Sequence, residues 1–175
     1  KLGSLKFLDP ACGCGNFLII TYRELRLLEL EVLKELYGTQ QVIGIDQIMN
    51  VDVDQFYGIE YDEFPARIAE VALWLMDHQM NLRISEAFGM YYARLPLKKS
   101  ATIINSNALR IEWSDIIPKS DLSYILGNPP FYGKQYQNKE QKEDMALVFK
   151  GVKGAGVLDY VTAWYLKASK LITDT

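Results

Sequence analysis

Asn128-Pro129-Pro130-Phe131 is the segment whose residue types most directly suggest chemistry. Two consecutive prolines stiffen the backbone, and neither has an N–H. Their carbonyls and the Asn128 side-chain oxygen can present acceptors to a planar amino group. One hydrogen of that group is held by the Asn128 oxygen and the other by the Pro129 carbonyl. Holding both draws the nitrogen lone pair toward an electrophile. The ring of Phe131 can stack on a flat base. The plain alternative is a Pro-Pro turn that closes a strand.

A second constellation is Asp9-Pro10-Ala11-Cys12-Gly13-Cys14-Gly15-Asn16-Phe17. Its small residues pack a turn between a strand and a long helix. Glycine there permits positive φ and close approach of the backbone to a ligand. A dinucleotide fingerprint needs a third glycine at position 18, where Leu18 stands. No Gly-Lys-Ser/Thr follows, so a Walker-type phosphate loop is not met either. The alternative is a glycine-rich turn without a ligand. Cys12 and Cys14 read as small space-fillers rather than metal or redox groups.

The third is Gly58-Ile59-Glu60-Tyr61-Asp62. An acidic residue at the end of a second strand can accept hydrogen bonds from both ribose hydroxyls of a nucleoside-containing cofactor. Alone, Glu60 would read as a solvated charge, but beside the first turn it is assigned to the ribose. Asp62 reads as the cap of the following helix. Asn105-Ser106-Asn107-Ala108-Leu109 follows a third strand, and two readings of its amides stay open: local hydrogen bonding and contact with an adenine ring. His78 reads as a surface residue, and Trp74 and Trp164 as core.

The elements that must position these residues alternate. Strands are expected at Leu5–Leu8, Gln55–Glu60, Thr102–Asn105 and Ser123–Leu126. Helices are expected at Phe17–Tyr37, Phe64–Met80 and Val157–Ile172. The segment 38–54 departs from this rhythm and reads as a strand-edge excursion or an insertion. Strand–helix alternation predicts an α/β domain with a mainly parallel sheet flanked by helices. Such sheets bind ligands at the carboxyl ends of their strands, where all the motifs fall. The 175 residues fit one domain. A net charge of −3 excludes a basic nucleic-acid-binding surface spread over the whole molecule, but not a local basic patch. Two cysteines, at 12 and 14, cannot build a disulfide scaffold, so an intracellular setting is expected. No apolar run is long enough to span a bilayer, so no membrane partner is expected.

With Asp-Pro-Ala-Cys-Gly-x-Gly-x-Phe, Gly-Ile-Glu and Asn-Pro-Pro-Phe in this order, the chain resembles the S-adenosylmethionine-dependent amino-methyltransferases of DNA. The order is that of the gamma class, which methylates the exocyclic N6 of adenine. The stretches Glu63–Leu75 and Gly156–Tyr165 look like the methyltransferase region of single-chain type II restriction–modification enzymes. The resemblance implies a Rossmann-like class I methyltransferase fold, here a fragment of a longer chain truncated at its C-terminal strands. Nuclease and target-recognition regions would lie outside these residues. It implies S-adenosyl-L-methionine as cofactor, no metal, double-stranded DNA as partner and a prokaryotic cytoplasmic setting.

The roles implied by resemblance are carried residue by residue. Asp9, Pro10, Ala11, Cys12, Gly13, Gly15, Asn16 and Phe17 would wrap the methionine part of the cofactor. Glu60 would hold the ribose, with Tyr61 beside the adenine moiety. Asn107, Ala108 and Leu109 would flank that adenine. Asn128, Pro129, Pro130 and Phe131 would hold the target adenine, flipped out of the duplex. Asn107 stands where the class often has Asp, and Cys14 where Ser is common. The stretch after the motif, with Lys134, Lys139, Lys142, Lys150 and Lys153, reads either as DNA contact or as a solvated mobile loop. Two other functions compete: transfer to a protein glutamine amide or an RNA base, and a non-catalytic cofactor-binding module.

Overall fold

A computed structural model describes residues 1–38, 48–89 and 100–173. Four short strands form one sheet: β1 (Phe7–Asp9), β2 (Phe56–Glu60), β3 (Thr102–Asn105) and β4 (Tyr124–Ile125). All pairings are parallel, in the order β3-β2-β1-β4. Register sets Asp9 beside Gly58 and Glu60 beside Asn105. The strand order therefore turns back at β1. This is where open α/β sheets form a ligand crevice.

Alternation along the strands divides the core. Phe7 and Phe56 face the layer of α1 (Asn16–Tyr37) and α2 (Glu63–Phe88), with Leu18, Tyr22, Leu73 and Met80. Leu8 and Ile59 face the opposite layer, with Trp113, Met145, Phe149, Tyr160 and Trp164. That layer holds α3 (Lys139–Val148) and α4 (Thr162–Thr173). Helices thus cover both faces, as expected of a parallel sheet. Polar groups tie α1 to α2: the Tyr22 hydroxyl donates to Asp77 at 2.6 Å, and the buried Arg26 donates to Asn81 at 2.7 Å.

The expected strands and helices are all present, with shifted ends. β1 includes Asp9, α2 runs on to Phe88, and α4 starts at Thr162 instead of Val157. Of the departing segment 38–54, residues 39–47 lie outside the described residues. Two expectations are corrected. Trp74 is 41% exposed, and its ring stacks on exposed His78. The buried face of α2 is instead Ala66, Ala69, Leu73, Asp77, Met80, Asn81, Ile84 and Phe88. Small residues occupy it where α1 comes close, because a Cβ on Gly15 would lie 3.0 Å from the Ala69 Cβ. The stretch after Phe131 is not a plain loop either. It contains α3, started by a reciprocal cap in which Gln141 N–H donates to Asn138 and Asn138 N–H donates to Gln141.

Candidate active site

The turn after β1 is fixed by its own backbone. Ala11 N–H donates to Asp9 Oδ1 at 3.0 Å, and Cys12 N–H donates to the Ile59 carbonyl of the neighbouring strand at 3.0 Å. Gly13 has φ +54°, and nothing lies within 4 Å of where its Cβ would be. The backbone there is bare and accessible, as a ligand-cradling turn requires. Cys12 is buried against Gly58, and burial, with Asp9 and Glu60 nearby, pushes its thiol up to about 12. It stays protonated and acts as packing. Asp9 is wholly buried behind the turn. Its Oδ2 has no partner among the described residues, and burial pushes the carboxyl up to about 7.

Glu60 ends β2 and faces this turn. Gly13 N–H donates to its Oε2 at 2.8 Å, and Asp62 N–H donates to its Oε1 at 3.0 Å. A carboxylate has about four lone-pair sites, so each oxygen keeps capacity for a further donor. Asp62 stands at the N-cap of α2, but its side chain makes no capping bond there. Ser106 N–H and the Asn105 side chain both donate to the Glu60 carbonyl, which joins the β3 turn to the β2 turn.

Asn107 makes the local hydrogen bond that one of its two readings expects. Its oxygen accepts Leu109 N–H at 2.9 Å, a local turn bond. Its amino group donates to Asp144 of α3 at 3.0 Å. Asp144 is buried and also accepts from Arg110 Nε at 2.6 Å and the Tyr160 hydroxyl at 2.7 Å. Burial and Asp144 together push the Tyr160 phenol above its ordinary range, so it remains a neutral donor.

The Asn-Pro-Pro-Phe turn leaves β4 through Gly127, at φ +140°. A Cβ there would collide with the Asp9 carboxyl, so the β1 and β4 turns meet at this glycine. Asn128 is exposed, and its amide bonds no described residue. Phe131 is 64% exposed. Tyr132 behind them is held firmly: its N–H donates to Asp159 at 3.1 Å, and its carbonyl accepts from Tyr160 N–H and the Gln137 side chain. The acceptor motif is thus a free edge on a pinned base.

A cavity of about 340 Å³ opens among these loops. It is lined by Pro10, Ala11, Glu60, Tyr61, Asn107, Ala108 and Pro130 of the residues singled out in the sequence. Asp9, Cys12, Gly15 and Leu109 are buried behind it, while Asn16, Phe17, Asn128 and Phe131 lie on exposed surface and Gly13 is half-buried. Six lining residues were not among the site residues expected from the sequence: Asn138, Glu140, Gln141, Asp144, Tyr160 and Trp164. The N-x-x-Q spacing at Asn138 and Gln141 was the available signal for α3. Trp164 closes the cavity's back, donating Nε1–H to the Pro10 carbonyl at 2.9 Å. Among the described residues there is no cluster of His, Cys, Asp and Glu that could hold a metal ion.

A parallel sheet with a bare turn after β1, an acid at the end of β2 and a cavity at the strand ends defines an α/β protein of the Rossmann-like methyltransferase fold. The family model described as "MmeI, DNA-methyltransferase domain" matches residues 1–175, and the chain belongs to that family. It is 41% identical over 179 residues to DNA methyltransferase A of Bacillus subtilis (strain 168), covering all of this chain and 20% of that protein. The structure of the type IIL restriction–modification enzyme MmeI in complex with DNA superposes with a TM-score of 0.94 at 56% identity. That match covers 99% of this chain and 23% of MmeI. The type ISP enzyme LlaGI shares the fold, with a TM-score of 0.56 at 16% identity. The chain spans about a fifth of the length of the first two relatives.

Proposed function

We propose that this domain transfers a methyl group from S-adenosyl-L-methionine to the exocyclic N6 of an adenine in double-stranded DNA, within a longer restriction–modification enzyme of the prokaryotic cytoplasm. The observation that carries this reading is the joining of the cavity to an exposed Asn128-Pro129-Pro130-Phe131 edge through Pro130. A cofactor site and an amino-group acceptor site therefore share one wall. The cavity volume falls within the ~300–1,000 Å³ usual for such ligands, and the bare Gly13 backbone and the open lone pairs of Glu60 fit a nucleoside with a charged tail.

In this reading Pro10, Ala11, Gly13, Asn16 and Phe17 border the methionine part, with Asp9, Cys12 and Gly15 shaping the turn from behind. Glu60 holds the ribose. Tyr61, Asn107 and Ala108 border the base, and Leu109 backs them. The cofactor, when bound, supplies an activated methyl group. The protein's work is alignment and hydrogen bonding. Asn128 Oδ1 and the Pro129 carbonyl take the two hydrogens of the target amino group and turn its lone pair toward the cavity. The exposed ring of Phe131 receives the flipped base by stacking, which suits a side chain that is 64% exposed. Lys134, Lys139, Lys142, Lys150 and Lys153 are exposed around α3, make no ion pair among the described residues, and are candidates for phosphate contact.

The test is transfer of labelled methyl groups by the full-length protein to DNA, RNA and protein in parallel. Label is expected in the N6 position of DNA adenine, and Asn128→Ala is expected to abolish it. Transfer to RNA or protein but not DNA, or an undiminished rate in the variant, overturns the reading.

A further inference from the structure

We propose that Asp159 and Gln137 are positioning residues that set where the Asn128–Phe131 edge stands relative to the cofactor turn, acting through the backbone of Tyr132; this rests on the reading of that edge as the holder of the target amino group. Neither side chain lines the cavity. Both reach the edge from outside it, Asp159 from 27 positions beyond Tyr132 and Gln137 from five.

The edge needs a hold from outside because it has little of its own. Leu126 N–H donates to the Leu8 carbonyl at 2.9 Å, but residues 127–131 make no hydrogen bond among the described residues. The span starts at Gly127, at φ +140°, and glycine resists backbone rotation least of all residues. Beyond Gly127 the chain is stiff. Each proline fixes its own φ and restricts the residue before it, so Asn128, Pro129 and Pro130 move as one piece. A stiff piece that starts at a glycine takes its direction from its other end, which is Tyr132.

Tyr132 is held through both of its backbone groups. Its N–H donates to Asp159 Oδ1 at 3.1 Å, and its carbonyl accepts from Gln137 Nε2 at 3.0 Å and from Tyr160 N–H at 2.9 Å. Gln137 is buried, and its amino group also donates to the Leu158 carbonyl at 3.2 Å. Asp159 Oδ1 also accepts Val161 N–H at 3.0 Å, at the entry to α4. Three residues further, Trp164 of α4 donates to the Pro10 carbonyl of the cofactor turn. The edge and the cofactor turn are therefore both referred to the start of α4. A scaffold role alone would lower cofactor affinity and transfer together. The proposed role lowers only the rate of transfer in the fully bound enzyme, because a misplacement of about 1 Å between reacting groups can cost on the order of a hundredfold.

The experiment follows a single turnover of methyl transfer by the full-length protein to unmethylated DNA, with cofactor and DNA saturating. Calorimetry with S-adenosylhomocysteine gives the cofactor affinity of each variant in parallel. Gln137→Met keeps the length of the side chain and removes both donors. Asp159→Ala removes the acceptor, whereas Asp159→Asn keeps an oxygen that can accept both N–H groups. Gln137→Met and Asp159→Ala are expected to lower the saturated rate about ten- to a hundredfold, with the affinity for S-adenosylhomocysteine unchanged. Asp159→Asn is expected to stay near the wild-type rate. Should Asp159→Ala not fold, Gln137→Met and Asp159→Asn decide the matter by themselves. A wild-type saturated rate in Gln137→Met or Asp159→Ala, a loss of rate matched by an equal loss of cofactor affinity, or an Asp159→Asn as slow as Gln137→Met, each overturns the proposal. A wild type that transfers no methyl group to DNA overturns the reading of the edge itself, and the proposal with it.

Discussion

Asp9→Asn should change how the stability of this domain depends on pH. The wild-type carboxyl is wholly buried; among the described residues it accepts one bond, from Ala11 N–H, and its other oxygen has no partner. Burial raises it from 3.8 to about 7. The difference is roughly three pH units, and at about 1.4 kcal/mol per unit it corresponds to about 4 kcal/mol between protonated and ionised folded states. The sign follows from proton counting. Between about pH 4 and 7 the folded chain keeps this proton and the unfolded chain has released it. The unfolded state then binds fewer protons, so stability falls as pH rises through that window and levels off above it. An amide at position 9 keeps the acceptor for Ala11 but never ionises. It brings a buried N–H₂ of its own, at a cost of about 1–3 kcal/mol if left unpaired. The variant should therefore be the less stable form near pH 4.5, and should gain on the wild type by up to about 4 kcal/mol toward pH 8. Thermal or urea unfolding of both proteins from pH 4.5 to 8.5 measures the gap. A gap that does not change with pH would refute the burial argument for Asp9.

Glu60→Ala removes the acceptor of Gly13 N–H and Asp62 N–H as well as the lone pairs assigned to the ribose. Calorimetry should show cofactor affinity weakened by about ten- to a hundredfold, since hydrogen bonds to a charged group contribute roughly 1.5–3 kcal/mol; unchanged affinity would remove Glu60 from the site. Gly127→Ala places a Cβ against the buried Asp9 carboxyl at φ +140°, a conformation open in practice to glycine. A loss of at least ~1–3 kcal/mol is expected from the backbone alone, read as a lower unfolding midpoint, and a variant as stable as the wild type would contradict the contact.

Much of the fold was legible because its signals are local. Apolar runs mark the strands, 3.6-residue spacing marks α1 and α2, and the parallel arrangement follows from their alternation. What misled was also local. α2 carries large apolar residues on more than one side, so spacing alone could not say which side is buried. Contact with α1 decided it, favouring Ala66 and Ala69 and leaving Trp74 outside. α3 is only ten residues long and strongly charged, so it resembles a solvated loop until its buried Asp144, Met145 and Val148 are seen in place.

By itself, the sequence set Asp9–Phe17, Glu60 and Asn128–Phe131 at the ends of strands, and a parallel sheet must bring its strand ends to one edge. It also set Glu60 at the end of the second strand, and β2 ends there. Tertiary structure alone decided which side chains complete the cavity. Asp144 reaches Asn107 and Arg110 across more than 30 positions, Asp9 lies against Gly127, and Trp164 reaches Pro10 across 154. No periodicity encodes such contacts. They arise because helices docked on one face of the sheet project their side chains into the crevice that the strand ends leave open, and a buried carboxylate there must find donors wherever the packing supplies them.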